Sequence, residues 1–309
     1  MLIEIVRKYR KKTKDIDFRY FMFYSRLEGG FPKRLAHMTL GKQVRMNRIF
    51  SHASGLLCSV AVDHFLGYQY GMPEGLRDLP RIIKSIVEGR PDAITMQRGT
   101  AVSCWRPFAG LISLIIQAAG VKPDDSAEEM LATPEDALRL GADALATCAL
   151  VRGNSEARHL RVVADQVRAA DPWGLPVILH IYPRKFHSDG KVEIVHTAED
   201  IAWTVRCGIE LGVDVIKTPY CGDPIAWKQI TSACPLPVIA AGGPKCETLE
   251  EALKQMSDSV AAGGRGATIG RNVWGFADVP AAVRAFKNAI HHGKMPADAM
   301  KSLTTVTRQ

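Results

Sequence analysis

An α/β chain closed into a (β/α)8 barrel, with a basic N-terminal extension, is the fold that three observations in this sequence predict. From residue 57 onward, apolar β-prone runs alternate with amphipathic helical stretches. The handovers between them resemble one another: RPDAITM at 90–96, GADALATC at 141–148, GVDVIKT at 212–218 and GRGATIG at 264–270. No low-complexity linker interrupts residues 55–290. Strands that alternate with helices pair in parallel through right-handed crossovers, and eight such units over about 250 residues close most readily into a barrel.

The extension comes first. Residues 1–50 hold 13 Lys or Arg against 4 Asp or Glu, while the rest of the chain holds 27 and 28, so the basic pI belongs to this arm. Its aromatic cluster (Phe18, Tyr20, Phe21, Phe23, Tyr24) favours packing against a neighbour or a second subunit over nucleic-acid binding, and a homo-oligomer is expected. The remainder, residues 51–309, is read as one catalytic barrel domain. Its eight strands are expected near 57–63, 92–97, 111–117, 143–150, 176–182, 213–217, 237–241 and 266–270. Helix starts are marked by Thr133 with Pro134, by Thr197 with Asp200 and by Thr248 with Glu251. After Thr248, Leu249, Leu253, Met256 and Val260 recur at helical spacing and predict one buried face. An open doubly wound sheet is the alternative. It lacks its usual fingerprints, because no Gly-x-Gly-x-x-Gly follows the first strand and no GxxxxGK[ST] occurs.

Composition excludes several classes. The seven cysteines show no CxxC pair or other metal-ligand spacing and are expected to be reduced, cytoplasmic thiols. The nine histidines are scattered, so no metal or other cofactor is expected. The first residues turn basic after position 6, and no run approaches the ~20 apolar residues of a membrane span.

In such a barrel the chemistry sits at the C-terminal ends of the strands, and here those ends are polar. Lys217 closes an apolar run in which Val213, Val215 and Lys217 share one face. Desolvation there would disfavour the ammonium and leave a nucleophilic amine, although a lysine snorkelling from an edge strand fits the same pattern. The seventh and eighth ends carry Gly242, Gly243 and Gly270, whose backbone N–H groups suit a phosphate, with Arg271 as a charged donor. The fifth carries His180, Tyr182 and Arg184. Tyr182 would project inward level with Lys217, either to move protons or to fill the barrel with its ring. Asp63 on the first could assist the amine or cap a turn, and His64 is expected on the opposite face, either supporting the site residues from behind or as a structural histidine.

These residues resemble the archaeal-type class I fructose-1,6-bisphosphate aldolases and the related autoinducer-phosphate thiolases over roughly residues 55–295. The motifs that carry the likeness are VDH at 62–64, YPR at 182–184, IKTPYCGDP at 216–224, GGPK at 242–245 and GRNVW at 270–274. The resemblance implies Lys217 as Schiff-base lysine, Tyr182 as proton-transfer residue and Asp63 as assisting carboxylate. It implies a phosphate held by Gly242, Gly243, Gly270 and Arg271, with Arg184 and His180 also binding substrate. The expected activity is cleavage or condensation of a phosphorylated ketose. The alternatives are acyl transfer from a phosphorylated dione to coenzyme A on the same lysine, or a non-catalytic barrel acting through its basic arm.

Overall fold

The computed structural model describes residues 38–66 and 71–304. The arm's aromatic cluster lies outside the described residues. Eight parallel strands form the barrel: β1 (Leu57–Ala61), β2 (Ala93–Gln97), β3 (Ser113–Gln117), β6 (Ala144–Val151), β7 (Val177–Phe186), β9 (Val215–Pro219), β10 (Val238–Ala241) and β11 (Gly266–Ile269). They run in the order β6-β3-β2-β1-β11-β10-β9-β7, and a further parallel pairing of β6 with β7 closes the ring. All eight expected strands are present.

Both faces of these strands are covered, which is why they read as continuous apolar runs. Outward residues such as Val60, Ile94, Ile116, Leu179 and Ile216 join Ile83, Val163, Ile201, Trp227, Leu253 and Phe286 in one core between strands and helices. The helices start where local chemistry dictates. Thr133 and Thr248 form capping boxes with Asp136 and Glu251, and Thr197 Oγ1 accepts from the Asp200 N–H at 3.2 Å. Gly212, at φ 77°, ends the helix before β9 in the left-handed conformation that glycine adopts without strain.

Three shorter strands lie outside the barrel. β4 (Ala119–Val121) and β5 (Glu128–Met130) form an antiparallel hairpin after β3, and β8 (Val192–Ile194) pairs back onto the end of β7. Helix α1 (Leu40–Ile49) also bears on the domain boundary, because the compact unit begins at Thr39 rather than at residue 51. Met46, Ile49 and Phe50 are buried. Lys42 Nζ lies 3.1 Å from Asp171 and 3.2 Å from Asp214, and Arg48 lies 3.2 Å from Asp143. Residues 39–50, assigned above to the extension, thus pack with the barrel near the starts of β6 and β9. Among the described residues no helix is long and apolar enough to cross a membrane.

Candidate active site

The strand ends enclose a cavity of about 320 Å³ whose walls include His64, Tyr182, Lys217, Gly242, Gly243, Gly270 and Arg271. Pro123, Leu150, Ile194 and Pro219 supply an apolar side, and His196 adds a second imidazole. A larger cavity of about 840 Å³ has Arg48, Asp92, Asp143 and Lys287 in its walls and none of the candidate residues.

Lys217 lies on β9, is 4 % exposed, and pairs in register with His180 on β7 and Ile239 on β10. Burial lowers the pKa of its ammonium below the ordinary lysine value. The Asp63 carboxylate and Cys148 pull it back upward, and Arg271 pushes it down. The surroundings are more polar than the strand pattern alone suggests. Tyr182 is two residues beyond His180, so it lines the cavity one layer nearer the mouth than Lys217, not level with it.

The glycine turns of β10 and β11 are built as one unit. Asn272 Nδ2 donates to the carbonyls of Gly242 and Pro244, both at 2.8 Å, while its Oδ1 accepts from the Cys246 N–H at 2.8 Å. Trp274 Nε1 donates to the Ala61 carbonyl at 3.0 Å, tying the turn after β11 to the end of β1. A Cβ at Gly270 would overlap the His64 ring, and one at Gly242 would come within 2.9 Å of Ile269 Cα. Side chains are therefore excluded at Gly242 and Gly270, and the Gly242 N–H donates to the Thr268 carbonyl at 3.0 Å. Arg271 opens the short helix α2 (Arg271–Trp274). Its Nε is buried without a hydrogen-bond partner among the described residues, as a donor awaiting an anion would be. Burial lowers the Arg271 pKa, against an upward influence from Tyr182.

Other expected residues fall elsewhere. Asp63 and His180 are 2 % and 1 % exposed and do not line the cavity; both are held by Gln117 Nε2, at 3.0 and 3.1 Å. Arg184 does not reach the cavity either, which corrects its assignment to substrate binding. By that point β7 has left the barrel to pair with β8, and the buried guanidinium donates to Pro123 O at 2.6 Å, to Asp125 at 2.8 Å and to Ser155 Oγ. Burial raises the Asp125 pKa, but hydrogen bonds from Arg184, His159 and Ser155 outweigh it and hold the carboxyl at about 2. Arg184 thus fixes the loop that brings Pro123 to the cavity wall.

His64 shows the opposite error. β1 ends at Ala61, so strand alternation no longer governs residue 64, and the ring turns into the cavity wall. Its Nδ1 lies 3.4 Å from Asp63 Oδ1, and the ring meets Trp274 edge-on at 5.4 Å. Burial is the main cause that lowers its pKa to about 4, so the imidazole is neutral at physiological pH. Gln117, Asn272 and Trp274 were also missed. Gln117 carried a legible signal as the polar end of an apolar run, in the same place where the other strands were read. Among the described residues, no group of three or more His, Cys, Asp or Glu is placed to hold a metal ion.

The model of the family described as "DeoC/LacD family aldolase" matches residues 57–275. The chain belongs to the DeoC/LacD aldolase family. It is 31% identical over 262 residues to the 2-amino-3,7-dideoxy-D-threo-hept-6-ulosonate synthase of Halobacterium salinarum, covering 84% of this chain and 95% of that one. The crystal structure of an archaeal fructose 1,6-bisphosphate aldolase superposes with a TM-score of 0.71 at 28% identity, covering 82% of this chain and 100% of that one. A second structure, also of an archaeal fructose-1,6-bisphosphate aldolase, has its catalytic Lys covalently bound to the carbinolamine intermediate of the substrate. It matches at TM-score 0.71 and 27% identity, over 81% of this chain and 99% of that one. The chain is accordingly a carbon–carbon lyase on a class I aldolase barrel.

Proposed function

We propose that this DeoC/LacD aldolase acts through a Schiff base on Lys217 and takes a phosphorylated ketose as substrate. One observation carries the reading: a desolvated lysine shares a cavity with two glycine turns and an arginine whose buried Nε is unpaired. The Lys217 amine attacks the ketone carbon to give a carbinolamine, and loss of water leaves the iminium. The hydroxyl two carbons away gives up its proton, the carbon–carbon bond breaks, and its electron pair passes into the iminium to leave an enamine. Proton return to carbon and hydrolysis release the ketone product and the free amine.

In this reading Tyr182, on the cavity wall above Lys217, moves the proton between the substrate and the enamine carbon. Asp63 supports the cationic nitrogen electrostatically. The N–H groups of Gly243 and Gly270, with Arg271, hold the phosphate, while the Gly242 N–H is spent on the Thr268 carbonyl, and His64 stands beside them as a neutral imidazole. The likeness to the heptulosonate synthase favours condensation as the physiological direction, on a ketose whose far end meets the apolar side at Pro123, Leu150 and Ile194.

Borohydride reduction with dihydroxyacetone phosphate tests the proposal. The expected outcome is a covalent adduct on Lys217 by peptide mass, absent in Lys217→Met. No adduct in the unsubstituted protein refutes it, and thioester release on adding coenzyme A and a phosphorylated dione would move the chain to acyl transfer.

A further inference from the structure

Gln117 ends β3 as a fully buried amide after an apolar run. One contact determines which way it faces. The backbone N–H of Ala119 lies 3.1 Å from Oε1, and a backbone N–H can only donate. The amide nitrogen therefore points the other way, 3.0 Å from Asp63 Oδ2 and 3.1 Å from His180 Nδ1. Its two hydrogens serve one acceptor each. Because Gln117 donates, His180 Nδ1 must accept, and the ring proton of a neutral His180 then resides on Nε2. Burial first, then the charge on Lys217, keep that histidine neutral, well below its usual range.

We propose that Gln117 is a positioning residue for the Schiff-base step: a single amide fixes both the orientation of the Asp63 carboxylate and the tautomer of His180. This rests on Lys217 being the Schiff-base lysine. The two groups it fixes bear on that amine directly. His180 is its partner in register across β7 and β9, and Asp63 raises its proton affinity. The other titratable groups acting at the site are His64 after β1, Cys148 on β6, Tyr182 on β7 and Arg271 after β11. The Gln117 side chain bonds Asp63, His180 and the Ala119 N–H and not these groups, so its effect passes through Asp63 and His180.

The test uses the full chain with Gln117→Met and Gln117→Glu. Methionine matches the length and removes both donors. Its kcat is expected to fall about 10²-fold, the scale of a displaced catalytic group, with KM little changed. An Asp63 carboxylate freed from its donor no longer faces Lys217 in one fixed orientation, and the amine loses part of the charge that raises its pKa. The acid limb of borohydride trapping with dihydroxyacetone phosphate should therefore move to lower pH. Glutamate supplies one donor when protonated, so its activity relative to the methionine variant should climb as pH falls. The ¹⁵N spectrum of the unsubstituted protein should show His180 protonated on Nε2 and bare on Nδ1. A proton on Nδ1, or a methionine variant with unchanged kcat and acid limb, overturns the proposal while Lys217 trapping stands. Absence of trapping in the unsubstituted protein overturns the Schiff-base reading and this proposal with it. Should the methionine variant not fold, the tautomer and the glutamate pH profile decide.

Discussion

Asn272→Asp isolates what holds the two glycine turns together. The change keeps the size of the side chain and leaves an oxygen to accept from the Cys246 N–H. It also replaces the Nδ2 donor with an oxygen 2.8 Å from the carbonyls of Gly242 and Pro244. Residue 272 is 1 % exposed, so water does not replace the donor at the buried Gly242 carbonyl. That carbonyl left bare costs roughly 1 to 3 kcal/mol and the exposed Pro244 carbonyl less, which sets the loss at about 3 kcal/mol before any cost of burying the carboxylate. For a domain of this size that is a fall of roughly 6 to 12 °C in Tm. The Gly242–Gly243 backbone also loses its tie to the turn after β11, so KM for a phosphorylated ketose should rise more than kcat falls. Calorimetry and steady-state kinetics on the one variant measure both. Asn272→Ala, which lacks the repulsion, should lie between it and the unsubstituted chain. A Tm within about 2 °C of the unsubstituted protein, with KM unchanged, would show that the turns hold themselves.

Three further outcomes are expected. Tyr182→Phe should keep Tm and adduct formation but lower kcat by roughly 10²- to 10⁴-fold, the contribution of a positioned proton-transfer group; a near-native kcat removes Tyr182 from the mechanism. Arg271→Ala should raise KM for a phosphorylated ketose far more than for its dephosphorylated analogue, and equal losses on both would make the residue structural. Lys217→Met should flatten the pH dependence of stability: with the folded pKa below its unfolded value of ~10.4, the unfolded chain binds the extra proton between the two, so the unsubstituted protein gains stability as pH rises through that window. Melting curves of both proteins across alkaline pH read this directly, and parallel curves would contradict the depressed pKa.

The barrel was legible because parallel strands covered on both faces write themselves as apolar runs, and because each handover repeats a glycine or proline. What escaped was structure made by distant partners. Helix α1 looks like part of a basic arm until Lys42 meets Asp171 and Asp214, and Arg48 meets Asp143, far along the chain. The β4–β5 hairpin and β8 are three residues per strand, too short for a periodic signal; β4 is buried, while β5 and β8 are partly exposed. In the site, Lys217, Tyr182 and the glycine turns could be found from strand ends alone. Arg184 was misplaced because adjacency to Tyr182 in a motif says nothing about where the strand leaves the barrel. His64 was misplaced because alternation stops where β1 stops.

The electrostatics of the cavity make sense as a sequence of events under the Schiff-base reading. Before substrate binds, burial and Arg271 both depress the Lys217 pKa, which favours the neutral, attacking amine. A bound phosphate pairs with Arg271 and cancels its effect just as the amine becomes a cationic iminium. From then on Asp63 is left to stabilise the positive nitrogen, and the site that favoured a neutral amine favours a charged intermediate. The phosphate therefore does more than anchor the substrate: it removes the one opposing charge from a field on Lys217 in which Asp63 already outweighs Arg271. A ketose without phosphate should then be poor in kcat as well as in KM, because the iminium it forms still faces an uncompensated Arg271. Adding inorganic phosphite with the truncated ketose should restore part of kcat, and restoration confined to KM would show that the anion only adds binding energy.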